Sequence, residues 1–399
     1  MSDGLSPAPS ATADWTQCLN GVRVVDFSWV VAGPMATKRL GAMGAEIIKI
    51  ESATRPEFSL RHAWFSVVNN NKRSCTLNIA SAEGQALIHA LVAKSDIVVE
   101  NFSSRVLTKN NLSYDDLRKV KPDIIYVSAS GLGRTGPENE MLAYGSLLQG
   151  YSGRVAMIGA MNAGLEGMGI APGWTDPVTS LWEGFLILAA LRHRRETGEG
   201  CYIDLSMLEA SVTLLPDALL HAALGQATAE QGSESEIGAS PSGCFRCKGE
   251  DAWLAVSVRD DGEWRGLRAA LDVPNDPAFS SREARIAGRT GLNAIVAAWC
   301  AGRTAVEAEA TLQSHGVPSA ISQGIREVLD DPHLKERDLF RQVGDGSWSI
   351  ALPWMEAGGW RGGLSAPPKL GADNDYVFGE LLGVSPEEQA RLKAAGVIA

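Results

Sequence analysis

Residues 170–182 read Ile-Ala-Pro-Gly-Trp-Thr-Asp-Pro-Val-Thr-Ser-Leu-Trp. Asp176 stands directly before Pro177, and Val178, Leu181, Trp182, Phe185, Leu186, Leu188 and Ala189 follow at three- and four-residue spacing. That spacing predicts a helix over 177–195 with one buried apolar face. Proline suits the first helical position, where its missing N–H has no intrahelical partner to lose. Asp176 is then expected as the N-cap, with its carboxylate against free backbone N–H groups and the positive end of the helix dipole, which would hold it ionised. Two uses are open for such a residue. It can be a structural cap, or a carboxylate aimed out of a Gly-Trp loop as a nucleophile.

Working outward from this helix, apolar runs alternate with helical patterns. Val22–Phe27 reads as a strand and ends in the loop Ser28–Pro34; a helix over 35–43 and a strand Ala45–Ile50, closed by Glu51, follow. Cys75–Ile79, Asp96–Glu100, Asp123–Ser128 and Cys201–Leu205 read as further strands, with helices over 82–94, 114–120 and 207–225. The alternation implies an α/β domain with a parallel, Rossmann-like sheet covered on both faces. Composition turns polar and Gly/Ser-rich over Ala227–Ser242, as in a linker or mobile loop. A strand Ala252–Val258 and helices over 261–271, 290–301 and 304–315 then predict a smaller α+β domain. Past about 332 the chain is turn-rich and carries Trp348, Trp354 and Trp360; its last helix opens at Ser385-Pro-Glu-Glu.

Composition narrows the function. At 399 residues, two domains are expected. A net charge of −11 argues against an open nucleic-acid surface but leaves room for a local basic pocket. No apolar run reaches bilayer-spanning length, so no membrane partner is expected. Residues 1–14 have neither the basic nor the apolar region of a signal peptide and read as a disordered tail, so a cytoplasmic enzyme is expected. The six cysteines, at 18, 75, 201, 244, 247 and 300, are dispersed as reduced thiols would be. Cys244-Phe-Arg-Cys247 lacks a second ligand pair, and no metal site is expected.

Two patterns mislead. Gly131-Leu-Gly-Arg-Thr-Gly136 matches a dinucleotide fingerprint, but it follows the fifth strand instead of the first, and Pro137 comes next. A Gly-rich turn accounts for it. Glu51 stands where an NAD enzyme places its ribose-binding acid, yet the loop Trp29–Pro34 has one glycine. No Gly-x-Ser-x-Gly elbow frames a serine, and the six histidines are scattered.

A series of blocks runs in order along the chain: Leu19-Asn-Gly-Val-Arg-Val-Val-Asp-Phe with Ala32-Gly-Pro34, Gly44-Ala-Glu-Ile-Ile-Lys-Ile-Glu51, Asn71-Lys-Arg-Ser74 and Asp96-Ile-Val-Val-Glu-Asn-Phe102. Gly173-Trp-Thr-Asp176, Leu188-Ala-Ala-Leu-Arg-His-Arg-Arg-Glu-Thr-Gly198, Val328-Leu-Asp-Asp-Pro332 and Leu381-Leu-Gly-Val-Ser-Pro-Glu-Glu388 continue the series. In this order the blocks resemble the family III CoA-transferases of the formyl-CoA and carnitine type. The resemblance implies a large domain built from both chain ends: residues 15–226 as its first part, 227–332 as the small domain with its linker, and 333–399 returning to it. It also implies that two such chains interlock as a dimer, either a homodimer or a heterodimer with a paralogous subunit.

The resemblance further implies a reaction. Asp176 occupies the position of the family's nucleophile, which attacks an acyl-CoA thioester, passes through an acyl–aspartyl anhydride and an aspartyl-CoA thioester, and delivers CoA to an acceptor acid. Coenzyme A enters as substrate, and no tightly bound cofactor is expected. By position, Val31 and Ala32 match the loop beside the thioester. Asn71 and Lys72 match residues lining the nucleotide site, and Lys72 with Arg73 offers charge for phosphates. Asn101 and Phe102 match a loop at the adenine end, Lys109 a phosphate-binding arginine, and Tyr144 a tyrosine near the pantetheine. The chain departs from formyl-CoA transferases at Val31, at Gly145 (a glutamate there) and at Ser52. Trp29 and Trp174 suggest an acyl group larger and more apolar than formate or oxalate. Arg55, Arg61 or Arg73 could hold the distal carboxylate of a succinyl-type donor or an aryl-succinate. Rival readings are an α-methylacyl-CoA racemase, whose paired base would stand at Tyr144-Gly145, and a CoA-binding subunit of a heteromeric transferase.

Overall fold

The computed structural model describes residues 17–53, 63–103, 105–155, 173–225, 238–344, 346, 348–356 and 359–399. The expected tail over 1–14, Arg55, Arg61 and most of the expected linker over 227–242 lie outside the described residues. Two compact units emerge. One takes the described residues within Met1–Gly153, Ile170–Leu215 and Glu336–Ala399, and the other those within Arg154–Gly169 and Pro216–Lys335.

In the first unit the chain runs β1 (Arg23–Asp26), α1 (Ala32–Ala42), β2 (Glu46–Glu51), α2 (Ala63–Val68), β3 (Arg73–Thr76), α3 (Ala82–Ala93), β4 (Ile97–Glu100), α4 (Val106–Lys109), α5 (Tyr114–Val120) and β5 (Ile125–Ser130). Then come α6 (Gly145–Tyr151), α7 (Thr175–Thr197), β6 (Cys201–Ser206) and α8 (Met207–Val212). The six strands form one sheet in the order β3-β2-β1-β4-β5-β6, each adjacent pair parallel. This is the doubly wound order, in which consecutive connections leave β1 and β4 in opposite directions and open a crevice at the carboxyl ends of those two strands. Central strands are buried on both faces: Val24, Val25, Ile97, Val98, Val99, Ile125 and Val127 are wholly inaccessible. The carboxyl end of the chain closes one core cluster, where Val397 and Ile398 join Ile88, Leu91 and Leu117. Asn374 and Asp373 accept hydrogen bonds from the β3 N–H groups of Thr76 and Ser74, both at 2.9 Å.

Helix α7 differs from its expected form in two ways. It begins at Thr175 with Trp174 as N-cap, so Asp176 is the second helical residue and Pro177 the third. Its faces are also reversed. Leu181, Trp182, Phe185 and Leu188 are exposed, and the buried residues are Thr175, Thr179, Ser180, Glu183, Ile187 and Ala190. Small side chains let α7 approach α1 closely. Their hydroxyls are satisfied on the helix itself, Thr179 donating to the Thr175 carbonyl at 2.7 Å and Ser180 to the Pro177 carbonyl at 2.6 Å. Gly198 ends the helix in the left-handed conformation. The helix expected over 207–225 is interrupted: α8 stops at Val212, and a separate helix starts at Pro216, whose ring lacks the N–H that a continuous helix needs. The third strand also starts earlier than expected, at Arg73.

The second unit holds a three-stranded antiparallel sheet of β7 (Ser242–Arg246), β8 (Trp253–Ser257) and β9 (Ser319–Ile321). Helices Asp261–Leu271, Arg289–Ala301 and Ala305–Ser314 pack Trp264, Leu267, Leu292, Val296 and Leu312 against it. Cys244 is exposed on β7 while Cys247 is buried beyond its end. Among the described residues no cluster of three or more His, Cys, Asp or Glu could hold a metal ion. No described helix is long and apolar enough to cross a membrane.

Candidate active site

The loop from β1 to α1 is held by a buried polar cluster. The Asp26 carboxylate accepts from the Ser28 N–H (2.8 Å), the Ser28 hydroxyl, the Thr37 hydroxyl (2.7 Å) and the Lys72 ammonium (2.8 Å). Burial alone would raise the Asp26 pKa, but the Lys72 and Lys49 ammoniums overcome it and hold the group well below the usual carboxylate range. Ser28 packs so tightly on Gly33 that a Cβ there would lie 2.3 Å from the Ser28 Cβ. Between these fixed points Val30 adopts φ +62°, a left-handed conformation that costs a β-branched residue about 1–3 kcal/mol and needs support on both sides. The support on the far side is Asn101, just past β4. Its side chain accepts from the Trp29 N–H and donates to the Trp29 carbonyl, both at 2.7 Å. The Trp29 ring meets Phe102 edge to face at 5.1 Å. Trp29, Asn101 and Phe102 thus converge where the crevice is expected from the strand order.

Asp176 reaches the same loop. Its carboxylate lies near the Ala32 N–H and its own N–H in the first turn of α7, and both pull its pKa down. Burial outweighs the pull of these two N–H groups and moves its pKa up from the usual carboxylate value. Gly145 opens α6 directly against this carboxylate: a Cβ at 145 would lie 1.8 Å from Asp176 Oδ2. No side chain fits there while Asp176 keeps this position. Tyr144, the N-cap of α6, is exposed, and so is Trp174, whose N–H donates to Gln149 Oε1 at 3.1 Å. Val31 is buried as the N-cap of α1, and Ala32 wholly so. Backbone N–H groups and the small residues Ala32, Gly145 and Gly173 therefore lie around the Asp176 carboxylate.

Four matched residues do not join this group. Lys72 is fully buried in its ion pair with Asp26. Arg73 bonds Glu46 and Asp373, each at 3.0 Å, and lies over the Tyr376 ring. The Lys72 charge is thus met by Asp26 inside the fold, while the Arg73 side chain, paired with Glu46 and Asp373, stays partly exposed. Asn71 donates to the Gly363 carbonyl (2.9 Å) and accepts from the Ser365 N–H (2.7 Å), fastening the returning chain to the end of α1 and β3. Lys109 ends α4 exposed to solvent.

Three residues escaped the sequence reading. Gln149 holds the Trp174 peptide. Asp26 organises the β1 loop, and its signal was a lone acid closing an apolar strand. Glu183, two turns beyond Asp176 on the buried face of α7, is wholly inaccessible, and neither carboxyl oxygen has a hydrogen-bond partner among the described residues. Burial, together with Asp26 and Asp176, pushes its pKa up to about 8, against the pull of Arg39.

A family model described as CoA-transferase family III matches residues 19–374. A probable CoA-transferase of Mycobacterium tuberculosis is 32% identical over 93% of this chain, which spans 49% of that longer protein. The succinyl-CoA–D-citramalate CoA-transferase of Chloroflexus aurantiacus is 28% identical, covering 95% of this chain and 98% of that one. Among solved structures, a CAIB/BAIF family protein from Brucella suis superposes with a TM-score of 0.82 at 26% identity, over 91% of this chain and 99% of that one.

Proposed function

The chain belongs to CoA-transferase family III, and from that premise we propose that Asp176 is the group that carries CoA from donor to acceptor. An Asp176 oxygen attacks the donor thioester carbonyl, the C–S bond breaks and CoA leaves as thiolate, giving an acyl–aspartyl anhydride. The thiolate then attacks the aspartyl carbonyl, releasing the donor acid as its carboxylate and forming an aspartyl-CoA thioester. The acceptor carboxylate attacks that thioester and expels the thiolate. In the last step the thiolate attacks the acceptor carbonyl of the new anhydride, giving acceptor acyl-CoA and free Asp176. The observation that carries this reading is the position of the carboxylate, at the first turn of α7 and against the Ala32 N–H of the β1 loop. Backbone N–H groups there are suited to the oxyanions of each tetrahedral step. Tyr144 and Gly145 stand where the resemblance puts a racemase's histidine base and the acid after it, which disfavours the racemase reading, and Asp176 itself disfavours a non-catalytic CoA-binding subunit.

The donor we propose is a succinyl-type acyl-CoA, in line with the succinyl-CoA transferase among the relatives. The acceptor is a carboxylic acid larger and more apolar than formate, such as a substituted dicarboxylate, facing Trp29 and Trp174. Of the matched residues, Val31, Ala32, Asn101, Phe102, Tyr144 and the exposed Lys109 are retained as the CoA-side contacts. The apolar face of α7 supports assembly with a second chain, identical or paralogous. All six cysteines are unbridged, in keeping with a reducing cytoplasm.

Exchange of labelled succinate into succinyl-CoA tests the donor and the nucleophile together, since it needs no acceptor. The wild-type chain should catalyse it and Asp176→Ala should lose it by at least about a thousandfold. Exchange that survives in Asp176→Ala would refute the nucleophile; transfer of CoA from acetyl-CoA without succinate exchange would refute the donor.

A further inference from the structure

The Gly131–Gly136 turn is not a dinucleotide fingerprint, yet its arginine is placed with unusual care. The Arg134 N–H donates to both carboxyl oxygens of Asp204 at the end of β6, at 2.9 and 3.0 Å. Its Nε–H donates to the Ser128 hydroxyl of β5 at 2.6 Å, and Nη2 to Glu100 Oε1 at 2.7 Å. Glu100, the last residue of β4, is buried, and the Ser128 hydroxyl donates to the same oxygen that meets Arg134. The other Glu100 oxygen accepts from the Phe102 N–H at 2.9 Å. Phe102 packs on Trp29, and Asn101 holds both polar atoms of the Trp29 peptide. Two residues further on, the peptide of Val31 and Ala32 supplies the N–H that meets Asp176.

We infer that Arg134 is a positioning residue for CoA transfer: through Glu100 it sets the Asn101–Phe102 turn, and through Asn101 it sets the Trp29–Ala32 segment that supports Asp176. The chain of contacts crosses three neighbouring strand ends, β5, β4 and β1, without touching the reacting atoms. A guanidinium suits the task because it donates in two fixed directions, to Ser128 and to Glu100, while an ammonium would reach one of them at a time. A buried ion pair adds little to stability compared with apolar packing, but it fixes geometry, and geometry is what the strained Val30 segment needs. The inference rests on the reading of Asp176 as nucleophile.

A double-mutant cycle of Arg134→Met and Asn101→Ala tests it, read by succinate exchange and by hydrogen–deuterium exchange of the full-length protein. Arg134→Met should lower the exchange rate by about tenfold or more. The double variant should be no slower than the slower single variant, within about twofold, since both break one chain of contacts. Amides of residues 29–35 should exchange faster in Arg134→Met, far from the altered side chain. Multiplicative losses, or acceleration confined to residues 131–136, would overturn the inference. Should Arg134→Met fail to fold, Arg134→Lys takes its place in the cycle: it should retain the wild-type melting temperature and lose activity several-fold, and full activity would overturn the inference. The hydrogen-exchange readout needs no substrate, so failure of the succinyl donor reading would leave this test intact.

Discussion

Asp176 and Glu183 stand seven residues apart on the buried side of one helix, and burial raises the pKa of both. For Asp176 two backbone N–H groups oppose the rise, and its carboxylate form is the one the proposed chemistry uses. Glu183 has no hydrogen-bond donor among the described residues, and burial pushes its pKa up to about 8 from an ordinary 4.5. Between those values the folded chain binds a proton that the unfolded chain releases. Stability therefore falls as pH rises across this window, by up to about 1.4 kcal/mol per pH unit, and levels off above it. Glu183→Gln should abolish that slope and leave the variant more stable than wild type near pH 8, as measured by urea unfolding at several pH values. An identical slope in both proteins would contradict the assignment. The alternation of strands and helices gave no hint of Glu183. An acid among apolar residues at helical spacing reads as an edge position, and only the reversal of the α7 faces puts it inside.

At the scale of elements, the β1–α1 loop shows why matching positions do not transfer roles on their own. Lys72 and Lys109 are both lysines at family-matched positions, but one is buried against Asp26 and the other is free to meet solvent. Lys72→Met removes the one ammonium hydrogen-bonded to the buried Asp26 among the described residues, which should cost about 3 kcal/mol and lower the melting temperature by several degrees. Lys109→Met should leave the melting temperature unchanged and raise the KM for acyl-CoA. A stable Lys72→Met variant with weakened CoA binding would reverse these roles. Strand and helix positions in this unit were largely legible, because apolar runs and helical spacing report burial directly. Roles within the loops were not, because they depend on which strand ends the sheet order makes neighbours: Asn101 and Trp29 are distant in sequence and joined by two hydrogen bonds. The helix expected over 207–225 failed for a simpler reason, Pro216 at its middle.

For the whole molecule, the exposed Leu181, Trp182, Phe185 and Leu188 of α7 are four of the seven apolar residues that the spacing predicted as one buried face. The periodicity was right and the assigned face was wrong, because small polar residues form the seam against α1. An apolar helix face open to water is the signature of a partner surface. Phe185→Glu should therefore shift the assembled protein toward monomer in light scattering, with an unchanged circular dichroism spectrum; a wild-type monomer would contradict the proposed assembly. The proposed transfer turns on one covalent event at Asp176. Hydroxylamine added during turnover with succinyl-CoA should convert the peptide containing Asp176 to its hydroxamate, and mass spectrometry locates the modification. The account predicts modification at Asp176 that requires acyl-CoA. A turning-over enzyme whose Asp176 stays unmodified, or modification at a different residue, would contradict it.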